Sequence, residues 1–444
     1  MQRIINRLGL VASLLIISGC ATFTEQFSGV ERHLVNGRPA QALKTLEAKP
    51  GPERDRVLYL LNKSMLQRMN GDFEASNSSL EQSKKLMQKL SALSVSETTT
   101  SLIINDATSS YAGDPHEQVM VHMIKAINYL QLGQRDSARV EALQMDIRLR
   151  ELSARSGTRL AYSEDAFGRY LAGVIYEELG EESDAMISYR KAYESYSAQK
   201  KHFAVALPNE LKKGLLRMSL RMGMNNEHLK YRKEFKSTQF ITVAESRKNG
   251  SLIFLFGNGL GPKKHEKNIS LRDYKNGQLH RIALPYYKSR PAILGGVRLQ
   301  AGERKVDGDL VDDIDAIAKK TLDEQMPAIT ARALARAVAK SAMVREARRQ
   351  DKNSKNGNGL LGLLVNIATV VTERADTRSW VTLPSEVHMA RLNLPPGKYD
   401  IMVQFLGQRG GVVDSMVLPG IEIKAGKNQY QFYHWVSPQK QKRN

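Results

Sequence analysis

The pattern of hydrophobic and polar positions changes near residue 236. Before that point apolar residues recur every three or four positions with few prolines, which is the spacing of amphipathic helices. After it come short runs of alternating character, and the clearest of these, residues 398–406, predicts a strand with one buried face. We therefore predict an α+β, multidomain chain in which a helical array precedes a β-sandwich-like domain with a helical insertion.

Glycines separate the helical runs of the first half. Each follows one apolar-periodic run and precedes another, with polar or acidic residues in the next first turn. They are Gly37, Gly71, Gly133, Gly180 and Gly223. Glycine accepts a positive φ after a helix, and acidic side chains favour the start of the next one. The pattern resembles tetratricopeptide repeats of about 34 residues, but only the 34-residue step from Gly37 to Gly71 has that period. Residues 20–236 are thus predicted to form a degenerate tetratricopeptide-like (TPR-like) solenoid with insertions.

A solenoid of this kind leaves a broad surface, which usually binds protein or extended peptide. Four tyrosines in the last helix pairs are candidates for the lining of a peptide groove: Tyr170, Tyr176, Tyr189 and Tyr193. The alternative is that these rings pack between repeats.

Strand and helix patterns alternate in the second half. The runs Gln239–Val243 and Ser251–Phe256 are β-rich, whereas the apolar spacing after residue 311 is helical, with Pro327 either kinking one helix or starting a second. We divide this half into a first β-rich part (237–310), a helical insertion (311–375), a second β-rich part (376–436) and a basic tail (437–444).

The first nineteen residues have the features of a bacterial lipoprotein signal peptide. Arg3 and Arg7 precede a short apolar run that ends in Ser18-Gly19-Cys20. Cleavage before Cys20 leaves its thiol to carry diacylglycerol, with acyl chains such as palmitate as the anchor, and Ala21 favours sorting to the outer membrane. We expect a lipid-anchored protein that faces the periplasm.

The most apolar segment after the signal is Gly359–Val371. Thirteen residues are too few to span a bilayer, which needs about 20. The segment is predicted to be a buried helix, with a membrane-inserting or oligomer-forming helix as the alternative.

The formal net charge of +20 would suggest nucleic acid as a partner in a cytosolic protein. Export removes that partner and leaves lipid phosphates, lipopolysaccharide, peptidoglycan or an acidic protein. The candidate basic contact surface comprises Lys263, Lys264, Arg332, Arg336 and Lys340, and the alternative is an ordinary solvated face. Because Cys20 is the sole cysteine, a structural disulfide within the chain is excluded.

Three common enzyme motifs are missing from the sequence. The glycine-rich run that ends in Pro262-Lys263-Lys264 lacks the second glycine and the Ser or Thr of a phosphate-binding loop. The nine histidines form no H-E-x-x-H pair, and the chain has no G-x-S-x-G elbow. We predict a non-enzymatic, cofactor-free scaffold that binds a periplasmic or envelope protein. The alternative is a peptidoglycan-active enzyme with a cryptic carboxylate site, for which Glu194-Ser195 and Glu245-Ser246 are weak matches.

Four motifs resemble those of a family of uncharacterised proteobacterial lipoproteins with a TPR-like first half and a β-rich second half. They are Gly257-Asn258-Gly259 with Pro262-Lys263, Met326–Ile329 running into Arg332–Ala337, Asp376–Trp380 with Leu383-Pro384, and Leu394–Gly397. The resemblance covers nearly the whole mature chain. It implies an envelope location and this architecture, and it supplies no catalytic residues.

Overall fold

The computed structural model of the protein describes residues 23–96, 107, 109–156, 165–200, 203, 205–236, 238–240, 242–272, 279–290, 292, 294–353 and 374–436. The predicted signal peptide with Cys20, the apolar segment 359–371 and the basic tail 437–444 lie outside the described residues.

The described helices of the first half are arranged in pairs. Their bounds are α1 (Phe23–Val35), α2 (Pro39–Glu47), α3 (Arg56–Met69), α4 (Phe73–Ser96), α5 (Pro115–Gln131), α6 (Arg135–Ser156), α7 (Ala166–Leu179), α8 (Glu182–Gln199), α9 (Asn209–Arg221), α10 (Asn225–Glu234) and the short α11 (Val243–Lys248). All five predicted turn glycines have φ between 66° and 83°, the region that disfavours side chains. The first half is a TPR-like array, as predicted.

A small residue sets the contact between α7 and α8. A Cβ added to Gly173 would lie 2.4 Å from the ring of Tyr189. Glycine at this position therefore lets the ring pack directly on the α7 backbone. Tyr189 is 1% exposed, and its hydroxyl donates to Glu177 at 2.6 Å.

The second half contains ten described strands and one long helix. Their bounds are β1 (Gly250–Asn258), β2 (Lys263–Arg272), β3 (Leu279–Lys288), β4 (Leu294–Ala301), β5 (Arg304–Asp307), β6 (Asp309–Asp313), α12 (Ile314–Asn353), β7 (Glu386–Leu394), β8 (Gly397–Gly407), β9 (Val412–Ile423) and β10 (Asn428–Trp435). Sheet I has the order β10-β1-β7-β6, and sheet II has the order β5-β4-β8-β9. Strands β2 and β3 form a separate hairpin.

Strand β1 is buried on both faces. Leu252, Phe254 and Phe256 join the core between sheets I and II. Ile253 and Leu255, on the opposite face, join the core of the helical array. Since side chains alternate along a strand, sheet I is a middle layer between the helices and sheet II. The α+β architecture is confirmed.

Two details of the second half differ from the sequence prediction, and one open alternative is decided. None of the described residues of the predicted strand Gln239–Val243 is in a strand, and Thr242 and Glu245 form a capping box that starts α11 at Val243. For Pro327, the one-helix alternative holds, because this proline lies inside the single helix α12 and no second helix starts there. The helical insertion starts at Ile314, because residues 309–313 pair with β7 as strand β6.

Within the described residues, no helix combines the length and apolar character needed to cross a membrane.

Candidate functional site

The first helices of the pairs, α3, α5, α7 and α9, form one side of the array, which we call the inner face. The β-domain occupies this side. On α5, Gln131 donates to Gln431 at 3.1 Å and accepts from the Phe432 backbone N–H at 3.0 Å. At the start of α9, Asp309 accepts from the Asn209 backbone and side chain at 2.7 and 2.9 Å. Strand β10 and its neighbours therefore fill the surface on which a solenoid would otherwise hold a peptide.

A buried polar network joins the array to the segment before β7. Glu117, 1% exposed on α5, accepts from the Tyr111 hydroxyl at 2.6 Å, from the Asp114 N–H at 3.1 Å and from the Trp380 N–H at 2.6 Å. The Trp380 indole donates to Thr382, which itself donates to Asn62 on α3 at 3.0 Å. We call this set, together with His116, Lys264, Tyr287 and Arg378, the junction.

The β2–β3 hairpin enters the junction through Lys264. Its ammonium lies 2.6 Å from the Asp114 carboxylate, which also accepts from the Tyr287 hydroxyl at 2.8 Å. Asp114 starts α5 with a capping box. One carboxylate therefore fixes both the helix start and the hairpin.

Arg378 connects the junction to the start of α3. Its guanidinium binds Asp376 at 2.7 Å and Asp55 at 2.8 Å, and it lies 5.2 Å from the centre of the Tyr111 ring. It is 5% exposed. This arginine belongs to the Asp376–Trp380 motif noted in the sequence, and its contacts give that motif a structural role.

Burial shifts the pKa values of the ionisable side chains in the junction. Burial and the neighbouring charge of Asp114 raise the pKa of Glu117 to about 7. Burial lowers the pKa of His116 to about 4, so this imidazole is neutral at pH 7. Burial alone would raise the pKa of Asp114, but the Lys264 ammonium and other neighbours bring it below the usual value.

Ligand atoms of Asp114, His116 and Glu117 lie within 4.8 Å of one another, a spacing that could hold a metal ion. The Lys264 ammonium already supplies a positive charge to Asp114. Glu117 is also engaged, by three hydrogen-bond donors. We therefore interpret the cluster as an ion-paired junction between the array and the β-domain.

The second helices of the pairs form the outer face, where α6 has an unusual pattern. Its buried side carries Ala138, Ala142, Met145 and Leu149. A second apolar stripe, Val140, Leu143 and Ile147, is 51%, 42% and 37% exposed. A surface helix normally needs one apolar stripe, the one that faces the core. Among the residues that the structure describes, the second stripe is therefore not covered by packing against the core.

A small cavity of about 40 Å³ lies beside the outer stripe, and Met87, Val121 and Ile147 are among its lining residues. On α8, also a second helix of its pair, Ile187 is 47% exposed. The signal in the sequence is a second set of apolar residues at three- and four-residue spacing on the same helix, beside the set that faces the core.

The four predicted groove tyrosines have two different environments. Tyr170 and Tyr189 are 2% and 1% exposed, with ring centres 6.1 Å apart, so they pack between helices rather than line an open groove. Tyr176 and Tyr193 are partly exposed, and the Tyr193 ring packs edge-on against Tyr231.

The five predicted basic contact residues do not form one surface. Lys264 and Arg336 are 5% and 3% exposed and therefore lie inside the protein. Lys263 is paired with Glu31. Arg332 is exposed and Lys340 is partly exposed on α12. The sequence could not show that Lys264 pairs with a carboxylate 150 residues earlier.

A buried carboxylate cluster bears on the enzyme alternative. Asp165 and Asp312 line a cavity of about 10 Å³, which is roughly the space of one water molecule. Asp165 also caps α7, accepting from the Gly168 N–H at 2.8 Å. This cavity has no room for a sugar ring.

No known protein family matches the sequence, and no curated protein matches it. Solved structures resemble part of the chain. A crystal structure of MamA is 14% identical with a TM-score of 0.31 and covers 47% of this chain and 93% of its own. MamA from Desulfovibrio magneticus RS-1 is 16% identical with a TM-score of 0.29, covering 47% of this chain and 88% of its own. The apo form of RapI is 15% identical with a TM-score of 0.35, covering 52% of this chain and 58% of its own. Similarity at this level carries no argument about function.

Proposed function

We propose that the protein is an outer-membrane lipoprotein, anchored through acyl chains on Cys20, whose folded part faces the periplasm. There it acts as a non-enzymatic scaffold that binds a periplasmic protein in cell-envelope assembly or cell-wall synthesis. The basic, apolar and small-residue parts of the N-terminal segment support the anchor.

The second apolar stripe on α6 is the observation that supports protein binding. Three large apolar side chains at spacings of three and four residues are kept on the surface, at the cost of exposing them to water. Such patches on a soluble domain mark interaction surfaces more often than isolated exposed residues do. The partner would present an apolar surface of its own to this stripe.

The closed inner face directs the partner to the outer face. Docking on α5 from the inner side would require the Gln131 contacts with β10 to break. It would also uncover Ile253 and Leu255, which are 1% exposed. The outer stripe needs no such opening, so a partner can bind there without changing the fold.

Site-specific photocrosslinking in intact cells tests this proposal. A photoreactive amino acid replaces Leu143 in one strain and Leu229 in another; Leu229, 66% exposed on α10, serves as the matched control. We expect a discrete crosslinked protein from position 143 that is absent at position 229. The adduct formed from a reporter at Val140 should disappear when Leu143→Glu is added. Equal crosslinking at 143 and 229, or an adduct unchanged by Leu143→Glu, would contradict the proposed surface.

Mass spectrometry of the mature N-terminus tests the anchor. The expected first residue is Cys20 carrying diacylglycerol and an acylated amino group. An unmodified chain that still begins at Met1 would refute it. The non-enzymatic part is tested with peptidoglycan sacculi: no soluble fragment should be released, and release abolished by a single carboxylate substitution would identify an enzyme.

A further inference from the structure

A third cavity lies where three strands of sheet I end beside α7 and α9. The start of β1, the end of β7 and the start of β10 meet there, since Ser251 pairs with both Asn393 and Asn428. The cavity measures about 270 Å³. That is close to the lower limit of small-ligand pockets, about 300 Å³.

Positive charge dominates the lining. Five cationic side chains and two carboxylates surround the cavity: Arg217, Arg221, Arg247, Arg391 and Lys427 against Glu177 and Glu178. Both carboxylates are already neutralised. Glu177 is held by Arg217 in a two-bond pair at 2.5 and 2.7 Å, and Glu178 pairs with Arg135.

Arg391 is oriented without a carboxylate partner among the described residues. Its guanidinium donates to the Ser251 hydroxyl at 3.2 Å and to the Asn428 side-chain oxygen at 3.1 Å. Ser251 in turn donates to Asn393 at 2.7 Å. These neutral acceptors fix the direction of the guanidinium. Its charge helps to lower the pKa of Glu177, but that carboxylate is bonded to Arg217, so Arg391 has no ion pair of its own among the described residues.

Two further cations complete the site. Arg247 and Lys427 are exposed at the cavity, and within the described part of the chain neither has an ion pair. Three cations around one cavity that form no ion pair with the described residues favour a ligand with more than one negative charge. A phosphate monoester carries a charge of about −1.5 to −2 and three acceptor oxygens, which suits guanidinium donors.

Neutral polar groups line the rest of the cavity. Asn249, Asn393, Asn428 and Ser251 offer amide and hydroxyl groups, which both donate and accept hydrogen bonds. Sugar hydroxyl groups need partners of this kind. We propose that this cavity binds a phosphorylated saccharide, with the phosphate at Arg247, Arg391 and Lys427 and the sugar against the asparagine side chains. The inference does not depend on the outer-face scaffold function.

Calorimetric titration of the full mature chain carrying Cys20→Ala tests the proposal at low ionic strength. The probes are glucose 6-phosphate, inorganic phosphate and glucose. We expect the sugar phosphate to bind about tenfold more tightly than inorganic phosphate, and glucose to show no measurable binding, because bonds to charged groups supply most of the affinity. Added salt should weaken the binding of the sugar phosphate.

Two variants at exposed positions separate binding from folding. Lys427→Gln should weaken binding of glucose 6-phosphate about tenfold, and adding Arg247→Gln should weaken it further. Lys424→Gln, an exposed lysine outside the cavity lining, is the matched control and should leave the affinity within about twofold.

Each result supports or overturns the inference. Absence of binding at millimolar glucose 6-phosphate would overturn it, as would unchanged affinity in the double variant. Equal binding of inorganic phosphate and sugar phosphate would refute the saccharide part. Binding of glucose with equal affinity would refute the role of the cations. Loss of the photocrosslink at Leu143 would leave these results unaffected, so the two proposals fail separately.

Discussion

Lys264→Met is the sharpest test of the junction. It removes the ammonium that lies 2.6 Å from Asp114 while keeping most of the side-chain volume. The Asp114 carboxylate would remain in place, fixed by the Tyr287 hydroxyl and by its role at the start of α5. The variant therefore leaves a buried negative charge without its cation.

The expected loss in the free energy of unfolding is about 3–5 kcal/mol at pH 7, the usual cost of removing one partner of a buried ion pair. Lys264 is 5% exposed and the Asp114 side chain 15%, so water can replace the lost partner only in part. Adding Asp114→Asn to Lys264→Met removes the unpaired negative charge and leaves asparagine, which also caps helices well, at the start of α5. Much of the loss should therefore be recovered in the double variant.

The pH dependence has a definite sign. In the native protein the pKa of Asp114 is below its usual value, so the pair contributes stability above about pH 3.8 and loses it as the pH falls through the lowered pKa. Without Lys264, burial should raise the pKa of Asp114, and protonation then relieves the variant at low pH. The difference between native and variant should thus be larger at pH 7.5 than at pH 4.5.

Urea unfolding followed by circular dichroism measures these differences. Glu117 and His116 also titrate in the junction. Comparing the native protein, Lys264→Met, Asp114→Asn and the double variant separates their contribution from that of the Lys264–Asp114 pair. Lys267→Met, an exposed lysine on the same strand, should change stability by no more than about 0.5 kcal/mol. Equal losses for both methionine variants, or a loss independent of pH and of Asp114→Asn, would refute the reasoning.

Three more substitutions test buried positions by the same unfolding measurement. Arg68→Met should leave the free energy of unfolding unchanged or raise it by about 1 kcal/mol. The buried guanidinium stacks 3.8 Å from the Phe432 ring centre and has no hydrogen-bond acceptor among the described residues. A loss above about 2 kcal/mol would contradict this expectation. Asp312→Asn should stabilise the protein at pH 7 and much less at pH 4. Burial raises the pKa of this carboxyl well above its usual value, so the stability that its neutral form contributes is lost as the pH rises. A larger effect at pH 4 than at pH 7 would show that the fold favours the ionised form. Gly173→Ala should cost about 1–3 kcal/mol of stability, because the new methyl group would overlap the Tyr189 ring. Gly29→Ala, whose nearest neighbour would lie at 3.6 Å, should instead stabilise by about 0.5–1 kcal/mol. Equal effects would show that the Tyr189 ring moves freely.

The local features of this fold were readable from the sequence. The change of period near residue 236, the five turn glycines and the alternation in β8 predicted the architecture because each depends on a few neighbouring residues. The capping box from Thr242 to Glu245 was also a local signal, and it outweighed the β-rich composition of that segment.

The arrangement of the elements was not readable in the same way. Strand β10 pairs in parallel with β1 although some 170 residues separate them, and Gln131 meets Gln431 across 300 residues. Neither contact can be predicted from the spacing of apolar residues within one segment. For the same reason the sequence could not show that Lys264 is buried, or that the inner face is covered by the chain's own β-domain.

The central claim is that the inner face stays closed while a partner binds outside. Gln131→Cys and Gln431→Cys, joined by a short bismaleimide in a Cys20→Ala chain, would hold β10 on α5, because the two native side chains touch at 3.1 Å. The account predicts that the link forms in nearly all molecules and that the locked protein still crosslinks its partner from position 143 with undiminished yield. Failure of the link to form, or loss of the partner in the locked protein, would contradict it.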